Sequence, residues 1–302
     1  MKDATAPGPQ AEELSFFSDG FRLAATYRRP DADPIGGVVF LPGSRVTRET
    51  PFYAGYVDGL VAGGMAVLLI DYRGWGRSEG ATGTLFPLEQ VADARNALTY
   101  LATRPELAGR GLGLFGVSMG GAHAVYAAGI DERVSAAVAV LSPMDGERML
   151  RQTRREHEWI ELQADLAEDR RRRVLTGEGK AVDQLSPPTP ERARTTAMAA
   201  DPTPPIPLAC LEAIAEYRPL DVVGRIAPRA MLWFAATQDP VCPIEHSRLA
   251  YQRARAPKRL VEIPSAEHYG TYLAHRDLIL EESVRWFRAH LRPDRPRMHE
   301  AV

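Results

Sequence analysis

The sequence predicts an α/β protein with a mostly parallel, doubly wound sheet and an inserted helical cap. Short apolar runs alternate with helix-like segments over residues 38–141, and the alternation resumes at residue 230. The stretch between them is charged and rich in proline. Short apolar runs between helices are typical of βαβ units, in which parallel strands are buried on both faces. A chain of 302 residues with 45% hydrophobic residues can form a large core of this kind.

The chain opens with a predicted antiparallel hairpin. Residues 14–17 and Phe21–Arg28 alternate polar and apolar side chains, and the Asp19-Gly20 pair between them is typical of a tight turn. The core elements predicted after it are, in chain order, strands at 38–41, Met65–Ile70, 111–115 and 134–141, with helices at 52–63, 87–102 and 120–128.

The regular alternation stops after residue 141. Residues 144–217 contain a charged helical stretch and the segments SPPTP and DPTPPIP, and they are predicted to form a helical cap inserted over the C-terminal edge of the sheet. The core of the fold is therefore assigned to residues 14–143 and 218–291. Residues 1–13 and 292–302 are expected to be a flexible lead and tail. The elements predicted to close the core are strands at Ala230–Ala236 and 259–263 and helices at 244–255 and 272–291.

Charge and hydropathy exclude several classes of partner. The net charge of −2 lacks the basic excess of a nucleic-acid-binding protein. The first 14 residues are acidic and contain prolines, unlike a secretory signal, and the apolar runs are too short to span a bilayer. We therefore expect a cytoplasmic protein with no membrane partner, in which Cys210 and Cys242 are free thiols. Whether it forms a homodimer is left open.

The most informative motif lies at residues 116–120, which have the sequence G-V-S-M-G. This is a G-x-S-x-G pattern between an apolar run and a run of small helix-forming residues, the strand–turn–helix context that the motif requires. Glycines leave room for the strand and the helix to meet at a sharp turn. Such a turn raises the Ser118 hydroxyl above the sheet, so Ser118 is the candidate nucleophile.

A serine nucleophile needs a base and a group that orients the base. Among seven histidines, His268 lies in a loop directly after a predicted strand, whereas His246 is expected in a surface helix. Asp239 follows the preceding strand in the same way and is the candidate acid. The alternative acid is Asp145, in the loop after residue 141.

Two backbone N–H groups are candidates to bind an oxyanion. The first belongs to Met119, the residue after the candidate nucleophile. The second belongs to Ser44, in the Pro42-Gly43-Ser44 loop that follows the first core strand. In folds that carry a G-x-S-x-G nucleophile turn, the other oxyanion donor comes from a loop at this place. Two donors aimed at a developing negative charge can stabilise a transition state by several kcal/mol.

These segments resemble the α/β-hydrolase superfamily. The G-V-S-M-G motif, Asp239, the E-H-Y-G segment at 267–270 and D-Y-R-G-W-G-R-S at 71–78 carry the resemblance. Within the superfamily, the chain is similar to a bacterial group related to dienelactone hydrolases and prolyl-oligopeptidase-like esterases, and to fungal polyketide transferases and thiohydrolases. It departs from many members in having Pro42 where they have a histidine. Asp71 precedes Ser118 in the chain and is interpreted as structural.

The resemblance implies hydrolysis of an ester or thioester of a small acyl substrate, with no metal or organic cofactor. The same residues are compatible with peptide or amide cleavage, acyl transfer, C–C bond hydrolysis or cofactor-free haloperoxidase chemistry. A non-catalytic binding protein on the same fold is a further alternative. The basic run at residues 170–173 is interpreted as a solvated helix face rather than as a site for an anionic substrate. Its expected partners are acids one or two turns away, such as Glu158, Glu161 and Asp165.

Overall fold

The computed structural model of the protein describes residues 11–182 and 205–291. Ten strands occur in these residues, and eight of them form one sheet. In chain order the strands are β1 (Ala11–Ser18), β2 (Phe21–Arg28), β3 (Gly36–Leu41), β4 (Met65–Ile70), β5 (Gly111–Val117), β6 (Val134–Val140), β7 (Ala181–Val182), β8 (Ile206–Pro207), β9 (Ala230–Ala236) and β10 (Lys258–Ile263).

The large sheet is mostly parallel, as the sequence predicts. Its spatial order is β1-β2-β4-β3-β5-β6-β9-β10, and only the first two strands run antiparallel to their neighbours. Strands β7 and β8 pair with each other outside this sheet. The strands from β3 to β5 are buried along their whole length, which explains their continuous apolar sequences.

Helices cover both faces of the sheet. They are α1 (Pro51–Ala62), α2 (Pro87–Ala102), α3 (Met119–Ile130), α4 (Gly146–Gln152), α5 (Glu156–Thr176), α6 (Leu208–Glu216), α7 (Glu245–Arg253), α8 (Tyr269–Ala274) and α9 (Arg276–His290). Helices α1, α8 and α9 supply one buried hydrophobic cluster with the sheet, whereas α2, α3 and α7 supply the other. The doubly wound architecture that the sequence predicts is therefore present.

The core elements match their predicted bounds to within two residues, and two elements differ by more. Strand β1 begins at Ala11, so residues 11–13 of the predicted flexible lead belong to the hairpin. The single closing helix predicted over 272–291 is two helices, α8 and α9, because His275 between them leaves the helical conformation with φ −116° and ψ 20°. The predicted tail at 292–302 and residues 1–10 of the lead lie outside the described residues.

The described parts of residues 144–217 are helical, with α4, α5 and α6 packed against one another. Their buried side chains, including Leu150, Trp159 and Leu211, join the same hydrophobic cluster as α2 and α3. This segment therefore extends the core on one face of the sheet. Its middle, residues 183–204, lies outside the described residues, and the proposed cap over the strand edge stays a prediction.

Candidate active site

Ser118 lies at a sharp turn between β5 and α3. Its backbone has φ 51° and ψ −123°, a strained conformation for a residue with a side chain. The chain can turn here because residues 116 and 120 are glycines. A Cβ atom at Gly116 would collide with the carbonyl oxygen of Gly120, and one at Gly120 would collide with that of Leu41. Ser118 is held in place by its N–H, which donates to the carbonyl oxygen of Val140 over 2.9 Å. The local sequence therefore stores backbone strain at the candidate nucleophile.

His268 and Asp239 lie beside Ser118, as the sequence predicts. Nε2 of His268 is 3.1 Å from Oγ of Ser118, and Nδ1 is 2.6 Å from Oδ2 of Asp239. A carboxylate can only accept, so Nδ1 donates to it, and in the neutral imidazole Nε2 then presents its lone pair to the serine hydroxyl. Both His268 and Asp239 are buried, which shields this hydrogen-bonded series from water. The arrangement can move a proton from the serine hydroxyl to the imidazole.

Asp239 is fixed by the loop that follows β9. Its Oδ1 accepts the N–H groups of Val241 and Cys242 over 2.8 and 2.9 Å, leaving Oδ2 for His268. The alternative acid, Asp145, has other hydrogen-bond and ion-pair partners. It caps α4 by accepting the N–H of Arg148 over 3.0 Å and pairs with Arg218 at 3.1 Å. The geometry therefore favours Asp239 as the partner of the imidazole.

The loop after β3 approaches the candidate nucleophile. A Cβ atom at Gly43 would lie 3.4 Å from Cβ of Ser118, so this backbone is in van der Waals range of the serine. The N–H of Gly43 donates to the hydroxyl of Tyr53 over 2.8 Å and is therefore occupied. The next N–H along the loop belongs to Ser44, the candidate oxyanion donor. The other candidate, Met119, is the first residue of α3, where helical N–H groups have no partner within the helix.

The sequence interpretation missed two tyrosines at this site. Tyr53 of α1 accepts the N–H of Gly43 and so holds the loop after β3. Tyr272 of α8 places its hydroxyl 3.3 Å from Nε2 of His268. The spacing of four residues from His268 to Tyr272 could have indicated this contact, because such residues share one side of a helix. No comparable local signal marks Tyr53.

His246 lies in the first turn of α7, as predicted, and the other face of this helix is exposed. Its side chain is 1% exposed, because α7 packs inward at this position. Nδ1 of His246 accepts the N–H of Met144 over 3.2 Å, and Nε2 lies 3.1 Å from Oε1 of Gln152. Burial lowers the pKa of His246 to about 4. It therefore joins α7 to the segment after β6 as a neutral side chain.

His123 is also buried and neutral. Its Nδ1 is 3.0 Å from the hydroxyl of Tyr217, and its Nε2 is 2.9 Å from Oε1 of Gln90. Burial lowers the pKa of His123 to about 3. These contacts tie α3 to α2 and to Tyr217, the residue directly after α6. The burial of His123 therefore has a structural explanation.

Asp71 likewise has structural partners, as predicted. One of its oxygens accepts the N–H of Arg48 over 2.7 Å, and the other accepts Nε of Arg48 and the N–H of Arg77, each over 3.1 Å. The carboxylate therefore ties the loop before α1 to the turn after β4.

The basic run at residues 170–173 is paired with acids, although not with the predicted ones. Arg170 and Arg173 both reach Glu212 of α6, so they join two helices of the inserted segment. Arg171 pairs with Glu168, and Arg172 pairs with Glu178. Acids one turn away on α5 do pair with the run, as predicted, but they are Glu168 with Arg171 and Asp169 with Arg173. The packing of α5 against α6 adds the carboxylate of Glu212.

Two further features are absent from residues 11–182 and 205–291. In that part of the chain, no three His, Cys, Asp or Glu side chains are grouped so that they could hold a metal ion. None of the helices described is both long enough and apolar enough to cross a membrane. Cys210 and Cys242 are buried free thiols, as expected.

The chain is similar to a thiohydrolase and to two solved structures along most of its length. The thiohydrolase aneE of Aspergillus aculeatus is 24% identical over 249 residues, which cover 74% of this chain and 76% of that protein. The solved structure of DcsB with its substrate analogue has a TM-score of 0.81 at 18% identity and covers 93% of this chain and 100% of DcsB. The solved esterase domain of a Rhodothermus marinus protein has a TM-score of 0.65 at 24% identity and covers 93% of this chain and 99% of that domain's chain.

At these identities the two structures establish a shared fold. The family is established separately, because the model of the family described as serine aminopeptidase, S33, matches residues 32–270, which include Ser118, Asp239 and His268. With this match on a mostly parallel, doubly wound sheet, the chain belongs to the serine aminopeptidase S33 family of α/β hydrolases and is a hydrolase.

Proposed function

We propose that the protein cleaves a carboxylic ester or thioester through an acyl-enzyme formed on Ser118. The observation that carries this proposal is the unbroken series of contacts from Oγ of Ser118 through His268 to Asp239, at 3.1 and 2.6 Å. Each group in the series has the chemistry that its place requires: a hydroxyl, an imidazole with a free lone pair, and a carboxylate.

In the first half of the reaction, Oγ of Ser118 attacks the carbonyl carbon while Nε2 of His268 takes its proton. Asp239 stabilises the resulting imidazolium through Nδ1–H. The N–H groups of Ser44 and Met119 bind the oxyanion. The imidazolium then protonates the departing alcohol or thiol, and the acyl group remains on Ser118.

In the second half, His268 takes a proton from a water molecule, which attacks the acyl carbon. The tetrahedral intermediate collapses, and His268 returns the proton to Oγ of Ser118. The acid product leaves, and the resting state is restored. These steps use only side chains and backbone of this chain, so the proposed reaction needs no metal or organic cofactor.

Two relatives support an acyl substrate with an oxygen or sulfur leaving atom. One is described as a thiohydrolase and the other as an esterase domain. The family description names aminopeptidases, which makes peptide or amide cleavage the second candidate. The same acyl-enzyme would serve both, since His268 can protonate a departing nitrogen as well as an oxygen or sulfur.

Labelling with a fluorophosphonate probe tests the nucleophile. Wild-type protein is expected to become labelled, and Ser118→Ala is expected to stay unlabelled while keeping the thermal stability of wild type. Equal labelling of both proteins, or of neither, would contradict the proposal. A panel of p-nitrophenyl esters, acyl-CoAs and aminoacyl-p-nitroanilides then separates ester, thioester and peptide cleavage by kcat/KM.

The expectations about partners and location are proposals as well. We propose a small-molecule acyl substrate as the partner, without a nucleic acid or a membrane, and the cytoplasm as the location. A homodimer is the oligomer to test. Size-exclusion chromatography with light scattering gives the mass in solution, against the 33.2 kDa of one chain.

A further inference from the structure

Nε2 of His268 has a second hydroxyl beside it, which the proposed mechanism does not use. The Oη atom of Tyr272 lies 3.3 Å from Nε2, only slightly farther than Oγ of Ser118 at 3.1 Å. Tyr272 is 1% exposed, and its ring stacks on Phe52 with centroids 5.6 Å apart. The ring of Tyr272 meets that of His268 edge to face at 82°. Packing therefore holds this hydroxyl against the imidazole.

The hydrogen-bonding groups around Tyr272 allow its hydroxyl to act in two ways. When His268 is neutral, Nε2 offers one lone pair, and Tyr272 can donate to it alongside Ser118. When Nε2 carries a proton, Tyr272 can accept from it and donate its own proton to the carbonyl oxygen of Val140, which lies 3.5 Å away. A hydroxyl can reverse its role in this way because it is both a donor and an acceptor.

The phenol keeps its proton in both arrangements. Burial raises the pKa of Tyr272 well above its usual value. The titratable groups that face it, besides His268, are Asp239, Cys242, Tyr269 and Tyr53. Burial also raises the pKa of Cys242 and of Tyr53, so neither adds a negative charge near neutral pH.

We propose that Tyr272 is a further catalytic residue, which stabilises the imidazolium form of His268 by accepting a hydrogen bond from Nε2–H while it donates to Val140. The inference rests on the proposed function, because it assigns a role in the same proton transfer.

The protons and electrons balance without a net change at Tyr272. As the bond between Oγ of Ser118 and the carbonyl carbon forms, the serine proton moves to Nε2 and the carbonyl π electrons move to its oxygen. Tyr272 turns its O–H toward Val140 and presents a lone pair to Nε2–H. When the leaving group takes that proton, Nε2 regains its lone pair and the O–H of Tyr272 can turn back.

The test replaces the hydroxyl alone, by Tyr272→Phe. Hydrogen bonds to charged groups are stronger than those to neutral groups, so the hydroxyl should stabilise the imidazolium more than the neutral ring. We expect kcat to fall about tenfold with little change in KM. The midpoint of the acid limb of kcat/KM should move to lower pH by about one unit, because protonating His268 becomes harder.

The matched control is Tyr72→Phe, which removes another fully buried hydroxyl. Within the described residues, the Oη atom of Tyr72 has no hydrogen-bond partner. Its loss should leave kcat and the pH profile as in wild type. If Tyr272→Phe also matches wild type, or if its acid limb moves to higher pH, the proposed role of Tyr272 is overturned.

A second variant decides the matter if Tyr272→Phe does not fold. Incorporation of 3-fluorotyrosine at position 272 keeps the hydroxyl but makes its oxygen a weaker acceptor. The acid limb should then move in the same direction by a smaller amount, and an unmoved limb contradicts the proposal. Failure of the proposed function looks different, because wild-type protein itself would then neither hydrolyse a p-nitrophenyl ester nor depend on Ser118.

Discussion

Replacement of Asp239 by asparagine should nearly abolish turnover while leaving the fold intact. The structure sets the orientation of the new amide, because the loop presents the N–H groups of Val241 and Cys242 to one oxygen at 2.8 and 2.9 Å. In the Asp239→Asn variant the amide oxygen must accept these two bonds, so the NH₂ group faces His268. Nδ1 then becomes an acceptor, and the ring proton moves to Nε2. In this tautomer Nε2 has no lone pair with which to take the proton of Ser118.

The size of the effect follows from these contacts. Turning the amide over would place its NH₂ against two N–H donors and leave both without an acceptor, at about 1–3 kcal/mol for each buried group. The wrong tautomer should therefore dominate. A serine–histidine pair with this tautomer loses about 10⁴-fold in kcat, which corresponds to about 5 kcal/mol in the activation barrier.

The assay is kcat for a p-nitrophenyl ester, with Asp145→Asn as the matched control. Asparagine caps a helix about as well as aspartate, so this control should keep α4 and lose only the partly exposed pair with Arg218. Its kcat should stay within about twofold of wild type. If Asp239→Asn kept at least a tenth of the wild-type kcat, or if Asp145→Asn were the inactive variant, the assignment of the acid would be wrong.

Two further predictions concern buried groups. Tyr53→Phe removes the acceptor of the buried N–H of Gly43. We expect the free energy of unfolding in urea to fall by about 1–3 kcal/mol and kcat to decrease. Unchanged values of both would contradict the role of Tyr53 in the loop. His123 and His246 have pKa values of about 3 and 4 in the fold. Because both values are lowered, the unfolded chain binds protons first, so stability falls as the pH drops from about 6.5 toward 4, by about 2 kcal/mol for each histidine at pH 5. Urea unfolding at pH 7.5 and at pH 5 measures this loss. The His123→Gln variant should lose less stability between these two pH values than wild type does. An equal loss in both proteins would refute the lowered pKa of His123.

The sequence predicted the sheet and the place of Ser118, His268 and Asp239 for one reason. Apolar runs mark buried strands, and the residues that follow the ends of parallel strands meet at the same edge of the sheet. The structure places all three residues after the ends of strands β5, β9 and β10 and within hydrogen-bonding distance in series. Their catalytic roles are predictions that the labelling and kinetic experiments test.

Contacts between distant segments were harder to predict. His246 was placed in a surface helix, but nothing in the sequence indicated that its side chain faces inward and accepts the N–H of Met144, 102 positions away. The basic run of α5 was assigned partners on its own helix, whereas Glu212 of α6 takes two of its arginines. In both cases the partner comes from an element whose position depends on tertiary packing.

The sequence by itself determined the fold class, the turn that carries Ser118 and the strand ends that carry His268 and Asp239. These features depend on local periodicity and on short motifs, which a single segment of chain contains. Only the tertiary structure decided that Tyr272 lies against His268 and that Tyr53 holds the loop before Ser44. The direction of a buried side chain depends on how helices pack on the sheet, and that packing is a property of the whole core rather than of any one segment.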